Sequence, residues 1–508
     1  MRYSKIKQLW EGTKTLYNLR CLILSYSKSL IELPNIRKAP NLEVVDLQGC
    51  LQLKQIRPYI GHLRKLNILN LKDCKSLVKL PHLGEALNLQ ELDLEGCTQL
   101  RHIDPSIGLL KKLSRLNLEN CKNLVSLPNS MLGLTSLQYL SLRGCLKLYN
   151  IQLLDEPRDV MHLTMHLKKL YICEAPIHSQ STASYFKENR SPFSCLVPSS
   201  RVFPCMHELD VSFCNLVQTP DAIGNLCCLE RLDLSRNNFA TLPNLNELSK
   251  LVYLRLQHCK QLKSLPKLPS QIDFSPPFLW RHFGRDIGLY IFNCPKLLER
   301  ECCINMGFSW MIQILQGHHL HQYFEDNMGC QIFSSIIPGS EIPRWFNNQH
   351  VGNLVSIDAS PVMNDNNWIG IAFCAIFSVP RETVLATGPS NAKVVFRDFG
   401  DIPVDFYGDP ELVSDESYHM WQFFVNRRKF SQQCGLSSFL KAHLGSLKRK
   451  CRRGQEPGFH SDVKKYGYRW VYKHDLESNP RKRKFFAVEH EGRRSKARTS
   501  TKWEKEAT

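Results

Sequence analysis

The stretch Leu89-Gln90-Glu91-Leu92-Asp93-Leu94-Glu95-Gly96-Cys97 decides the fold. Its form, Leu-x-x-Leu-x-Leu-x-x-Cys, recurs upstream as Leu42, Val45, Leu47, Cys50 and as Leu66, Leu69, Leu71, Cys74. Downstream it recurs as Leu113, Leu116, Leu118, Cys121 and as Leu137, Leu140, Leu142, Cys145, with cysteine spacings of 24, 23, 24 and 24. The register returns at Met206, Leu209, Val211, Cys214, then at Leu229, Leu232, Leu234, Asn237 and at Leu251, Leu254, Leu256, Cys259. An earlier unit (Leu19, Leu22, Leu24, Ser27) and a late one (Leu289, Ile291, Cys294, Leu297) extend it both ways. A unit of this length cannot bury its apolar face alone, so units stack and share a core. The expectation is an α/β solenoid of leucine-rich repeats, a horseshoe of about 11 units over residues 1–297. Between Cys145 and Cys214 only Leu167, Leu170 and Ile172 keep register, which places an irregular insertion near 175–205, Ser/Pro-rich from Ser179 to Pro204.

The Leu-x-Leu core reads as a short strand whose leucines point inward while the residues between them face the concave side. The Cys or Asn that follows turns the chain and satisfies backbone groups inside the solenoid, strongly through an amide and weakly through a thiol. Repeat leucines and cysteines are therefore packing residues, and binding falls to the outward columns. One column includes Asp46, Asp93, Asn117, Asp210, Asp233 and Arg255; the next includes Lys72, Glu95, Glu119 and Arg143. Strands about 4.8 Å apart make such a face on the order of 50 Å long, which suits a macromolecule. The repeat register predicts these ten side chains to be exposed and to contact a protein ligand.

Met1, Ser4, Ile6, Leu9 have the spacing of Leu234, Asn237, Phe239, Leu242, so the chain starts inside a unit and is expected to be the C-terminal part of something longer. Over residues 298–331 the period breaks, and Ile304, Phe308, Met311, Ile312 and Leu315 take the spacing of an amphipathic capping or linking helix. His318, His319, His321 and Cys330 follow without a second spaced pair to complete a metal site. Residues 332–477 change to β character: Ile332–Ile337, Val351–Ile357, Trp368–Val379, Lys393–Phe399 and Met420–Val425 are apolar runs between turn residues. Tyr466, Tyr468, Trp470 and Tyr472 alternate with other residues to give one aromatic face, so a mostly-β sandwich is expected. Residues 478–508 lose the pattern and read as a disordered basic tail.

The formal charge of +19 is concentrated at that end, since residues 427–508 hold 23 Lys/Arg against 8 Asp/Glu. Arg481, Lys482, Arg483, Lys484 and Arg493, Arg494, Lys496, Arg498 form two clusters compatible with nuclear import. They lack the periodicity of a groove reader, so no specific nucleic acid is expected. Eight of the 20 cysteines sit at the repeat position and none forms Cys-x-x-Cys, which fits a reducing compartment. No apolar run approaches a membrane span, and the Gly12-Thr13-Lys14-Thr15 segment lacks the upstream glycine of a phosphate loop. No serine-hydrolase elbow or zinc-protease helix occurs, so no enzyme activity and no cofactor are expected.

The text Leu94-Glu95-Gly96-Cys97-Thr98-Gln99-Leu100 and the opening Tyr3-Ser4-Lys5-Ile6-Lys7-Gln8-Leu9-Trp10-Glu11-Gly12 resemble the repeats of plant intracellular immune receptors of the TIR, nucleotide-binding, leucine-rich-repeat class. Ile337-Pro338-Gly339-Ser340-Glu341-Ile342-Pro343-Arg344-Trp345-Phe346, Trp368 to Phe373 and Val463 to Gly467 resemble the jelly-roll or Ig-like C-JID domain that follows those repeats. Pro338, Gly339, Ser340, Pro343, Trp345 and Phe346 are then its structural motif. The resemblance implies effector recognition and autoinhibition, in the cytoplasm or nucleus, with a pathogen effector or guarded host protein as ligand and the NB-ARC domain of a full-length receptor as a further partner. It also implies that the TIR NADase and the nucleotide switch lie outside this sequence. The alternative expectation is a repeat scaffold that binds host proteins.

Overall fold

The computed structural model describes residues 2–10, 12–145, 147–148, 167–172, 205–214, 216–219, 221–269, 272, 287–297, 300–320, 333–352, 354–378, 392–396, 400–406, 418–427, 430–431, 439–443, 446–449 and 462–476. The insertion near 175–205 thus lies outside the described residues except at its last position, and both basic clusters lie outside them altogether.

Eleven three-residue strands follow the repeat pattern: β1 (Cys21–Ile23), β2 (Val44–Asp46), β3 (Ile68–Asn70), β4 (Glu91–Asp93), β5 (Arg115–Asn117), β6 (Tyr139–Ser141), β7 (Lys169–Tyr171), β8 (Glu208–Asp210), β9 (Arg231–Asp233), β10 (Tyr253–Arg255) and β11 (Gly288–Tyr290). They pair in parallel in chain order, so that Val45, Leu69, Leu92 and Leu116 stand level. The leucine after each strand closes the core; Leu47, Leu71, Leu94 and Leu118 are fully buried. Each such side chain contributes about 1.5–3 kcal/mol of burial.

The residue before each Cys, Asn or Ser turn takes a left-handed backbone. Gly49, Gly96 and Gly144 do so with φ of 71°, 73° and 71°, and Tyr26, Asp73, Asn120, Phe213, Arg236, His258 and Asn293 share the conformation. Bulky and small residues alternate through the first units. A Cβ on Gly96 would lie 2.6 Å from Asp73 Oδ1, because the Asp73 side chain leans over the next unit. The turn residue itself donates backward: Cys74 Sγ to Leu47 O at 3.2 Å, Cys97 to Leu71 O at 3.2 Å and Cys121 to Leu94 O at 3.2 Å. Asn237 does more, since its amide donates to Val211 O at 3.0 Å and Leu234 O at 2.8 Å and its Oδ1 accepts from Leu216 N at 3.0 Å.

The sheet does not stop where the repeats do. β11 pairs in parallel with β12 (Phe333–Pro338) at Tyr290 and Ile336. The same sheet then continues through β18 (His419–Asn426), β15 (Trp368–Ser378), β21 (Asp462–Tyr472) and β13 (Asn348–Val351), giving sixteen strands among the described residues. Strand direction first reverses one step later, between β12 and β18, so the sheet is continuous across the β11–β12 seam, where the division after residue 297 was expected. Gly288 sits at this seam with φ 144°, and a Cβ there would lie 1.8 Å from Ser334 O.

Alternation along β15 sends residues to two cores. Ala372, Cys374 and Ile376 continue the solenoid core, which the helix α1 (Arg300–Leu320) closes with Phe308, Trp310, Met311, Ile314 and Leu315. Ile371, Phe373, Ala375 and Phe377 face the other side, the continuation of the concave surface. There they pack with Val355 and Ile357 of β14 (Leu354–Asp358), which pairs with β19 (Phe439–His443) as a second layer. A third sheet joins β17 (Gly400–Phe406), β16 (Ala392–Phe396) and β20 (Ser446–Arg449). The expected strand over Val351–Ile357 is two: Gly352, at φ 101°, ends β13, and β14 starts in a different sheet. Short 3-10 helices at Pro58–His62, Pro105–Leu109, Asn129–Gly133 and Asp221–Asn225 in the repeats and two one-turn helices, α2 (Ser360–Met363) and α3 (Lys473–Leu476), complete the described elements.

Candidate protein-recognition surface

The Asp/Asn column is first a structural device. Oδ1 of Asp46, Asn70, Asp93, Asn117, Asp210 and Asp233 accepts the backbone N–H two residues on, at 3.0–3.2 Å. This hook ends each strand and starts the turn, which is why Asx residues recur there. Asn70 Nδ2 also donates to Asp46 Oδ1 at 3.0 Å, so neighbouring hooks are tied together.

The expected exposure of the ten candidate residues is corrected by these contacts. Asn117 and Asp210 are buried at 3% and 6%. Asp233 and Arg255 pair at 3.5 Å with side chains 15% exposed each, and Arg255 also donates to Gln257 at 2.8 Å. Strands only about 4.8 Å apart let long side chains fold over the shorter ones beside them. Asp46, Lys72, Asp93, Glu95, Glu119 and Arg143 stay half-buried. Lys72 binds Glu95 at 2.7 Å, and that hydrogen bond raises the lysine pKa. At this exposure such a pair contributes about 0–1 kcal/mol. Burial raises the Glu119 carboxyl, Arg143 draws it back and Glu95 raises it again. Burial, then Asp210, raises the Asp233 carboxyl, against Arg255.

The column on the other edge of the strands (Arg115, Tyr139, Lys169) and Tyr171 of the Asp/Asn column, none of them among the ten expected residues, carry larger contact groups. The Arg115 guanidinium stacks over Tyr139 at 3.7 Å, and Tyr139 packs on Tyr171 at 5.5 Å. Arg143 lies 5.0 Å from the Tyr171 ring and is paired with Asp210. Lys169 pairs with Glu208 at 2.7 Å, and the Tyr171 hydroxyl donates to the same carboxylate. Arg115, Tyr139, Arg143, Lys169 and Tyr171 thus form one half-buried Arg/Tyr patch across β5, β6 and β7. The available signal was the position just before each strand's central leucine, where Arg115, Tyr139 and Lys169 follow one another; the pattern recurs at Arg231 and Tyr253, stacked at 3.8 Å. Toward the C-terminus the concave face ends under the second β layer, since Tyr253, Tyr290 and Phe292 belong to the sandwich core.

The post-repeat motif is placed at the junction of α1 and the sheet. Pro338 ends β12, Gly339 N donates to Tyr418 O at 3.2 Å and Ser340 is exposed. Pro343 O accepts from Phe346 N at 3.0 Å, which turns the fully buried Phe346 inward. Trp345 is half-buried, edge-on to Phe308 of α1 at 4.8 Å, with the Arg469 guanidinium 4.8 Å over its ring. Among the described residues no group of three or more His, Cys, Asp or Glu could hold a metal ion, and no helix is long and apolar enough to cross a membrane.

A family model described as the C-JID domain matches residues 337–477, and leucine-rich-repeat models match 1–14 and 228–251. Disease resistance-like protein DSC1 of Arabidopsis thaliana is 29% identical over 429 residues, covering 74% of this chain and 34% of that protein. TMV resistance protein N of Nicotiana glutinosa is 27% identical over 425 residues, covering 74% and 36%. Disease resistance protein RPP2B of Arabidopsis thaliana is 31% identical over 423 residues, covering 74% and 34%. The chain spans about a third of the length of these relatives. Repeats whose sheet runs on into a C-JID domain, together with these relatives, identify the chain as carrying the leucine-rich-repeat and C-JID regions of the plant TIR, nucleotide-binding, leucine-rich-repeat disease resistance proteins.

Proposed function

We propose that this chain is a recognition and autoinhibitory module of an intracellular plant immune receptor, and that it engages a pathogen effector or guarded host protein through the concave face of β5 to β9 with help from C-JID loops. The observation that carries this reading is the Arg115–Tyr139–Tyr171–Arg143 patch, because Tyr and Arg held by stacking present large contact area with little entropy left to lose. The column of Lys72, Glu95 and Glu119 supplies charged rim contacts beside it. On the same reading the NB-ARC domain of a full-length receptor is an intramolecular partner. The matched repeat and C-JID regions are non-catalytic, so the reading assigns the module binding alone.

Arg115→Ala, Tyr139→Ala and Tyr171→Ala are each expected to weaken a captured protein ligand by about 2 kcal/mol or more, roughly 30-fold, with stability nearly unchanged. Crosslinking and co-purification from plant tissue, run beside the triple variant, measure it. A ligand retained equally by both proteins overturns the assignment of the face. The tail clusters Arg481–Lys484 and Arg493–Arg498 are proposed as a nuclear address. Equal distribution of a reporter carrying residues 478–508 with and without those clusters removes that part of the reading.

A further inference from the structure

We propose that Cys205 and Cys228 form a peroxide-sensitive thiol pair that closes to a disulfide and clamps β8 to β9. The pair follows from register. β8 and β9 run in parallel with Glu208 opposite Arg231, Leu209 opposite Leu232 and Asp210 opposite Asp233. The same offset continues upstream, where Glu230 N and Arg231 N both bond His207 O at 2.8 and 3.0 Å. Three residues before the first strand pair it sets Cys205 level with Cys228.

Side chains at this position of adjacent units reach one another. Lys65 Nζ donates to Asn41 Oδ1 at 2.7 Å, and Lys112 Nζ donates to Asn88 Oδ1 at 2.7 Å, from the equivalent sites of earlier units. Neighbouring parallel strands about 4.8 Å apart fall inside the Cα separation of roughly 4.4–6.8 Å that a disulfide spans. Cys205 and Cys228 are both partly exposed, whereas Cys214 and the other turn cysteines are buried. Burial holds the Cys228 thiol above its ordinary value, and Cys227 and Cys205 add to the rise, while Lys250 opposes them. Lys250 is the residue that the β9–β10 register sets level with Cys228 in the following unit, since Arg231 pairs with Tyr253.

The chemistry balances with hydrogen peroxide as the oxidant. One thiolate attacks a peroxide oxygen, the S–O bond forms, the O–O bond breaks and hydroxide leaves to become water. The second thiolate then attacks that sulfur, the S–S bond forms, the S–O bond breaks and a second water departs. Two thiols and one peroxide thus give one disulfide and two waters. A small dithiol reverses it. The closed bond fixes the β8–β9 spacing beside Asp210 and Asp233 on the concave face.

The test treats the full chain with hydrogen peroxide, alkylates the remaining thiols and cleaves before aspartate. Cleavage after arginine is added, because cuts before aspartate alone leave Cys173 and Cys195 on the Cys205 peptide; cuts at Arg201, Asp210, Asp221 and Asp233 then place Cys205, Cys214 and the Cys227–Cys228 pair on three separate peptides. The expected result is a Cys205 peptide joined to the Cys227–Cys228 peptide, lighter by two hydrogens than the two thiols and released by dithiothreitol. Cys214 stays alkylatable only after unfolding. Cys205→Ser and Cys228→Ser abolish the link, and Cys227→Ser keeps it. A bond within Cys227–Cys228, sulfinic acids without a link, or a link that survives Cys228→Ser overturns the proposal. Mapping the unsubstituted chain decides it even where a serine variant fails to fold.

Discussion

Asn237 is the position where the repeat chemistry can be measured most directly. After Cys50 and Cys74 the chain takes three residues to its next buried leucine, Leu53 and Leu77, but after Cys214 it takes two, to Leu216. The shorter path leaves the Leu216 N–H facing the next unit, where Asn237 Oδ1 accepts it at 3.0 Å. Asn237→Ala removes that acceptor and the donor to Val211 O, while Leu234 O retains the Cys259 thiol at 3.4 Å. A buried group left unpaired costs about 1–3 kcal/mol, so the two groups and the small void together cost about 3–5 kcal/mol. Asn237→Cys restores a donor of the kind the other units use and leaves only the Leu216 N–H unpaired, for about 1–2 kcal/mol. Chemical denaturation gives the ranking, and hydrogen exchange at Leu216 locates it. Equal losses for alanine and cysteine, or a loss under about 1 kcal/mol for alanine, refute the account of the turn residue.

Gly96→Ala is expected to cost about 1–2 kcal/mol for the left-handed backbone, and a double-mutant cycle with Asp73→Ala recovers about 0.5 kcal/mol or more because the 2.6 Å approach disappears. A coupling of zero contradicts the leaning-side-chain account. Phe346→Ala is expected to cost about 3–5 kcal/mol and half-buried Trp345→Ala clearly less, read by thermal melting; the reverse order contradicts the placement of the motif. Burial raises the folded-state pKa of Asp233, so the native chain takes up that proton more readily than the unfolded one. The resulting stability is full below about pH 3.9 and is lost as pH rises through the raised value, so Asp233→Asn gains Tm relative to the parent as pH rises from 4 to 7. A pH-independent difference removes the argument. Gly288→Ala is expected to open the β11–β12 seam, since a backbone oxygen 1.8 Å from the new Cβ cannot be moved by a rotamer change. Hydrogen exchange at Ser334, whose N–H bonds Ile287 O at 3.0 Å, reads it, and exchange no faster than in the parent counts against a sheet continuous across the seam.

The repeats were legible because a buried leucine column has a fixed period and nothing else in a chain of this composition imitates it. The strands of the post-repeat region were legible where both faces are buried, as in β15 and β18, since a run such as Trp368 to Ser378 is apolar throughout. β17, β19 and β20, with Asp401, Asp405, Lys441 and Lys448 in short segments, carry no such run and were not read. The left-handed column escaped for a related reason. Glycine marks it in only three units, and Tyr26, Phe213, Arg236 and His258 give no sign of positive φ. Exposure of the concave columns was overestimated because periodicity tells which way a side chain points, whereas cover comes from neighbours such as Arg143 above Asp210 that belong to other units.

The continuity of the sheet changes what the post-repeat domain is for the solenoid. A repeat array is held by nearest-neighbour contacts, so its last unit frays unless something replaces the missing neighbour. Here two replacements act on the two faces of β11: α1 seals the leucine core with Trp310 and Met311, and the second β layer covers Tyr290 and Phe292 on the concave side. The open part of the concave face therefore ends at about β9. A ligand seated on the Arg/Tyr patch of β5 to β7 has its C-terminal wall set by the sandwich, and the unit between patch and wall, β8 with β9, is the one that Cys205 and Cys228 bracket. The patch proposed for recognition and the β8–β9 step proposed to be clamped are in this way adjacent links of one parallel ladder, in which Arg143 already reaches from the patch to Asp210.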